Sequence, residues 1–371
     1  MVENENKIEM KSEQDSEINE LDENEEVNII EIKTQEDLNK IEKNWDRIEI
    51  NDLIVEGLVK KINAIKFTKL EILSLNNCNV NSIDFLINND NFKSLIILEL
   101  KENKIKTIEK IGDIPSKELK ILDLSFNEIQ SIENISKSCF KELEILILSN
   151  NKIEKIDPII SANFKSLQKL DLSSNKINNI DSLINNKSLQ NLESLYLSEN
   201  NITNIKVLQD DIFKKLKELQ LDSNQIGSID ELEKAPFEKL KELNLYCNKI
   251  ISIDGLCKSK FSELEILNLG NNQISNISAL KTSPFTKLNK LIFFENKIED
   301  ISVFKDVPFK NIEELDLSYN KIKSVEVFLD VFFEKLNDLK FGGNETLDYS
   351  DDKISQIYKK YKITFTYESL L

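Results

Sequence analysis

The pattern L-x-x-L-x-L-x-x-N-x-I-x-x-I recurs twelve times. Its first residue falls at Leu70, Leu95, Leu119, Leu143, Leu167, Leu192, Leu216, Leu240, Leu264, Leu288, Ile312 and Leu336, with a step of 24 residues nine times and 25 twice. A period of this length predicts a stacked solenoid, because one copy cannot bury its own apolar face and neighbours must cover it. In the copy beginning at Leu216, alternation puts Leu219 and Leu221 on one face of a short strand and Gln220 on the other. Asn224 follows, then Ile226 and Ile229, whose spacing turns the chain back over the same core. Stacked copies pair their strands in parallel, and twelve or thirteen strands at roughly 4.8 Å give an inner surface about 60 Å long.

Two columns run through the repeats. The first reads Asn103, Asn127, Asn151, Asn175, Asn200, Asn224, Asn248, Asn272, Asn296, Asn320 and Asn344, with Cys78 in the first copy. Where strand gives way to turn, buried backbone groups lose their ladder partners, and an amide with two donors and an acceptor can satisfy them. This column is structural. The second is a Phe spine at residues 67, 92, 140, 164, 213, 237, 261, 285, 309 and 333, broken by Ser116 and Leu189. It fills the convex half of each coil. Asp84, Asp157, Asp181, Asp230, Asp254, Ser278 and Ser302 follow the I-x-x-I element, where they are expected to N-cap short helices or 3₁₀ turns.

The motif L-x-x-L-x-L-x-x-N-x-I-x-x-I resembles the leucine-rich-repeat superfamily over about three-quarters of the chain. The isoleucine after each Asn and the I-x-x-I-x-x-L continuation are most similar to the subgroup of protein phosphatase 1 regulatory subunits and internalins. The resemblance implies an α/β solenoid, a leucine-rich-repeat horseshoe with a parallel concave β-sheet and short helices or 3₁₀ turns on the convex side. The expected organisation is an acidic tail over 1–33, disordered upstream of about residue 28, then a cap and degenerate repeat over 34–69. Twelve repeats occupy 70–347 and a C-terminal cap 348–371. Leu38 and Ile41 at helical spacing suggest a covering helix from Thr34 to Lys43. At the other end Ser350 is expected to cap a helix through Tyr361, followed by a strand over 362–367.

The formal charge is −17, of which residues 1–28 supply −9; the remaining −8 reads as well mixed in sign. With no basic stripe, nucleic acid is not an expected partner. A signal peptide and an apolar span are not expected from this pattern, and Cys78, Cys139, Cys247 and Cys257 lack paired spacing. A cytoplasmic or nuclear monomer is the expectation. The chain has no His, which removes the commonest general base and metal ligand. No catalytic residues, metal or cofactor are expected.

Function should therefore lie on inner-face positions, between the Leu residues and just before the Asn. Most are polar, so the apolar departures are the candidate protein-binding residues: Ile97, Ile121, Phe126, Ile145 and Ile147 in one cluster, Ile292, Phe294 and Tyr319 in another, with Tyr196 and Tyr246 between. Ile72, Ile97, Ile121 and Ile145 also fit a plain ladder of β-branched strand formers. The expected function is a non-catalytic scaffold that binds another protein on its concave face. The subgroup resemblance implies, as a narrower form, a regulatory subunit of a phosphatase or GTPase. A secreted or surface adhesion protein is the other alternative, for which glycosylation at Asn134, Asn186, Asn201, Asn276 and Asn344 would speak.

Overall fold

The computed structural model describes residues 29–34, 36–54, 57–350 and 352–363. The acidic segment 1–28 and the expected C-terminal strand beyond 363 lie outside the described residues. Within them the backbone forms one open parallel sheet of fourteen strands in chain order. These are β1 (Ile29–Ile32), β2 (Arg47–Asn51), β3 (Ile72–Asn76) and then eleven strands of three residues, from β4 (Ile97–Glu99) to β14 (Asp338–Lys340). From β2 onward each strand sits one whole repeat from the next, so that Leu195, Leu219 and Leu243 lie side by side. Equivalent leucines therefore stack on equivalent leucines, and the core is continuous from Ile32 to Tyr361.

The sheet has one strand more than expected, because residues 29–32 belong to it and not to a tail. The run Ile29-Ile30-Glu31-Ile32 pairs in register with Arg47 to Ile50, and Ile32 is buried. Three β-branched residues bordering a strand edge outweigh the charge of the segment before them. The covering helix expected over 34–43 is also corrected. Only a 3₁₀ turn forms, at Asp37–Lys40, and Ile41 then turns extended and buries its side chain.

The strands are short because the asparagine amide ends each one. Asn224 Oδ1 accepts from the Ile202 amide at 2.9 Å, while Nδ2 donates to the carbonyls of Leu197 (2.9 Å), Leu221 and Asp222 (3.1 Å each). The same set recurs from Asn103 to Asn344. One side chain thus serves its own turn and the preceding repeat. Cys78 supplies only the donor half, its Sγ lying 3.2 Å from the carbonyls of Ile50 and Asn76.

The convex side carries one or two short turns per repeat, mostly 3₁₀, such as Asp157–Ser161 and Asp230–Lys234. Helix α1 (Leu58–Ala64) precedes the first full repeat, and α2 (Asp254–Cys257) and α3 (Val327–Asp330) are single α-turns. Stacking is tight enough that a Cβ at Gly255 would fall 2.5 Å from Asp230 Cα. The expected N-caps are corrected: Asp84, Asp157, Asp181, Asp230, Asp254, Ser278 and Ser302 are the first residues inside their turns. For six of them the capping oxygen comes from two residues earlier, as with Ser82 to the Asp84 amide at 3.0 Å and Asn276 to the Ser278 amide at 2.9 Å. A 3₁₀ turn is too tight to need a separate residue in the cap position.

The Phe spine is buried, with Phe237 and Phe261 stacked at 5.4 Å. At the break, Ser116 Oγ donates to the Phe92 carbonyl at 2.6 Å, so a polar residue fits because it closes a backbone bond. The far end of the sheet is covered by α4 (Asp352–Tyr361), whose Ile354, Ile357, Tyr358 and Tyr361 are buried. Lys360 Nζ donates to the carbonyls of Phe328 and Leu329 at 3.1 and 2.7 Å and to that of Val331, tying α4 to α3. The Ser350 hydroxyl, two residues before the helix, donates to Asp348.

Asn224→Ala would strand the buried Ile202 amide N–H and leave the carbonyls of Leu197, Leu221 and Asp222 one partner each, the Asn200 and Asn248 amides and the Glu199 N–H. We expect a loss of about 1–3 kcal/mol in urea unfolding, and a loss under about 1 kcal/mol would mean that water replaces the amide.

Candidate interaction face

Four positions of each repeat face the concave side: the third and fifth, in the strand, and the seventh and eighth, just before the Asn. The eighth has a backbone feature that the sequence reading missed. Every side chain there sits in the left-handed region, from Asn77 at φ +51° through Phe126 at +52°, Cys247 at +54° and Tyr319 at +55°, ending with Gly343 at +68°. The turn that delivers each amide to the ladder imposes this conformation. Three Asn, two Ser and one Gly fill half of the twelve positions for that reason, beside three Glu.

The candidate residues separate into two groups. Phe126 and Tyr319 project from left-handed positions and are each 46% exposed. Phe294 is half-buried and meets Tyr319 edge-on, with ring centroids 5.3 Å apart. Gly343 lets the Tyr319 ring settle, since a Cβ there would lie 2.7 Å from it. Tyr196 and Tyr246 are half-buried, two strands apart. The Tyr196 hydroxyl donates to Glu218, and burial together with that carboxylate pushes the phenol up. Ile97, Ile121, Ile147 and Ile292 are corrected as contact residues. Ile97 is 1% exposed, Ile121 6%, Ile147 7% and Ile292 9%. Ile72, Ile97, Ile121 and Ile145 pair directly in register, so each covers the next, and only Ile72 and Ile145, at the two ends of the run, keep partial exposure.

Sorting by position also corrects the reading of a well-mixed surface. The four inner positions hold Glu99, Glu102, Asp123, Asp171, Glu199, Glu218, Asp222, Glu242, Glu295, Glu314, Asp316 and Asp338, against Lys101, Lys169, Lys290 and Lys340. Twelve carboxylates to four lysines account for the whole −8 of residues 29–371; the other faces balance. Several of these acids are shielded. Asp123, Asp171 and Asp316 each accept from the amide two residues on, at 2.8–2.9 Å, within the repeated Asp-Leu-Ser. Burial pushes Asp123 up to about 6 and raises Asp171, Asp222 and Asp316 as well. Glu199 adds to the rise at Asp222.

Among the described residues no group of three His, Cys, Asp or Glu side chains is placed to hold a metal. No described helix is long and apolar enough to cross a membrane.

Family models for leucine-rich repeats match residues 117–177, 141–202, 190–234, 238–282 and 310–325, on the repeats whose ladder is described above. The protein belongs to the leucine-rich-repeat superfamily. Its fold is shared with an internalin, InlF, of Listeria monocytogenes, at 25% identity and a TM-score of 0.67, covering 85% of this chain and 88% of that one. A leucine-rich-repeat protein of Leptospira interrogans matches at 26% identity and TM-score 0.70, over 85% and 77% of the two chains. The octameric complex of latrophilin 3, Unc5D and the leucine-rich-repeat protein FLRT2 holds a chain that matches at 20% identity and TM-score 0.59, over 74% and 84%. No curated protein sequence matches.

Two variants of this leucine-rich-repeat protein test the face. The Asp123 carboxyl rises from 3.8 in the unfolded chain to about 6. The fold therefore has its full contribution from this group below about pH 4 and loses it as pH rises through about 6. Asp123→Asn keeps the acceptor for Ser125 and removes the charge. It should raise stability at about pH 7 by about 1–3 kcal/mol and flatten the profile between about pH 4 and 6; unchanged slopes in pH-dependent unfolding would mean the carboxylate is hydrated. Phe126→Asn places a residue that tolerates the left-handed region, as at Asn77, Asn150 and Asn271, and should stabilise by roughly 0.5 kcal/mol. A thermal-melt loss above about 1 kcal/mol would mark Phe126 as a support of the fold.

Proposed function

We propose that this protein is a non-catalytic scaffold that holds another protein on its concave face. The observation that carries the reading is the exposure of Phe126 and Tyr319, two large rings held outward by a backbone conformation that such residues rarely adopt. Rings kept in solvent at a backbone cost are explained by contact with a partner. A preformed rigid sheet lowers the ordering cost of that contact. The matched chain of the latrophilin 3, Unc5D and FLRT2 assembly is seen in a complex with other proteins, and its fold supports the same use here.

A second reading, an adhesion protein acting outside the cell, is favoured by the likeness to the internalin. Under it, glycans could attach at Asn201 and Asn276, which are exposed, and at the partly exposed Asn134; Asn186 and Asn344 are buried.

The test is affinity capture with the full chain and with a Phe126→Ala, Phe294→Ala, Tyr319→Ala triple variant. A partner should bind the parent chain and be lost at least tenfold by the variant, while the variant melts within a few degrees of the parent. Identical capture by both would move the binding surface off the concave face.

A further inference from the structure

The concave face already shows how its rings are satisfied. Lys101 Nζ stands 5.5 Å from the centroid of Phe126, and Lys169 Nζ stands 5.3 Å from that of Tyr196. In each case a lysine of the preceding repeat caps an aromatic ring one strand on. The most aromatic point of the face lacks this arrangement. No described lysine stands over Phe294 or Tyr319. The two inner-face lysines nearest in sequence position are committed elsewhere, Lys290 to Glu314 at 2.7 Å and Lys340 to Asp338 at 3.0 Å.

The surroundings of that corner favour a cation. Glu295 is exposed and occupies the same column as Tyr319, one repeat before it, so the backbones that carry the carboxylate and the ring stand about 5 Å apart along the sheet. Asp316 lies in the strand beneath, held above its ordinary carboxylate range by burial. Burial raises the Cys247 thiol, and the Asp222 and Glu295 carboxylates add to the rise. The whole face carries three carboxylates for every lysine.

Resting on the concave-face reading above, we propose that the Phe294–Tyr319 corner seats an arginine side chain from an extended basic segment of the partner, with Glu295 as its counter-ion. A guanidinium fits better than an ammonium. Its plane can lie on an aromatic ring while its edge donates to a carboxylate, and it sheds water more readily. The occupant is a basic peptide segment; a lysine-based segment, an apolar segment or a second copy of this chain are the alternatives the experiment separates.

The test is fluorescence anisotropy on the full chain, at physiological salt, with a labelled Gly-Arg-Ser-Arg-Gly-Arg peptide and its lysine and glutamate counterparts. Binding of the arginine peptide should weaken roughly fivefold or more in Tyr319→Leu and in Phe294→Leu, substitutions that leave net charge unchanged. Glu295→Gln should weaken it about threefold, Phe126→Leu should leave it unaltered, and the glutamate peptide should not bind. Equal binding by the parent and the two Leu variants would show attraction to net charge alone and overturn the proposal. Equal affinity for the lysine peptide would overturn the arginine preference, and dimers lost in Tyr319→Leu would replace the peptide by a second copy. If peptide binding fails while partner capture still depends on Phe294 and Tyr319, the cation seat falls and the concave-face reading stands; if both fail, both fall.

Discussion

Each repeat must end a strand in the middle of its own core, and the buried asparagine amide is what makes this possible. A parallel ladder leaves carbonyls pointing along the stack wherever it stops. At Asn224 three of them, from Leu197, Leu221 and Asp222, converge on one Nδ2, while Oδ1 takes the amide of Ile202. To aim that amide inward, the residue before it must turn left-handed. The side chain at that position is then thrown outward on the concave rim in every copy. The ladder that holds the coil together therefore also manufactures a row of outward positions whose identity the core does not dictate. Stability and display come from one backbone turn.

What occupies those free positions is informative because the cheap choice is known. Asn77, Asn150, Asn271 and Gly343 fit the left-handed region at little cost, whereas Phe126 and Tyr319 do not. The carboxylates tell a similar story from the electrostatic side. Asp123, Asp171 and Asp316 are stabilised locally by the amide of the following serine, yet burial still raises all three. An asparagine would accept the same bond without the charge, as Asn244 and Asn268 do. Retained charge and retained rings on one face both run against folding economy, and proteins accept such losses where a surface has work to do.

The features legible in the sequence were those in which one residue type answers one local demand. Leucine pairs, the amide column and the Phe spine are set by side-chain size and hydrogen-bonding capacity, so their spacing alone located the sheet, the turn and the convex filling. The unread features depend on neighbours in space. Ile29 to Ile32 became a strand because β2 offered an edge, which a count of nearby acids could not reveal. Asp230 entered its turn instead of capping it because Ser228 already held the amide. Ile97 resembled a surface hydrophobe until Ile72 and Ile121 were seen to cover it from both sides. Charge looked well mixed along the chain because alternation sends consecutive residues to opposite faces, and only the register gathers the acids onto one.

The same register limits how a partner can use the face. Phe126 and Tyr319 lie eight repeats apart, about 38 Å along the sheet at the usual strand spacing. An extended peptide would need roughly twelve residues to touch both, and a small domain would barely span them. Phe126 already has Lys101 above it, as Tyr196 has Lys169, so these rings present a positive outer layer. Phe294 and Tyr319 present bare ring surface beside a carboxylate. The two ends of one continuous sheet thus differ in sign where it matters for contact. A single uniform segment cannot satisfy both, so a ligand that spans the face must change character along its length, and a shorter one must choose an end.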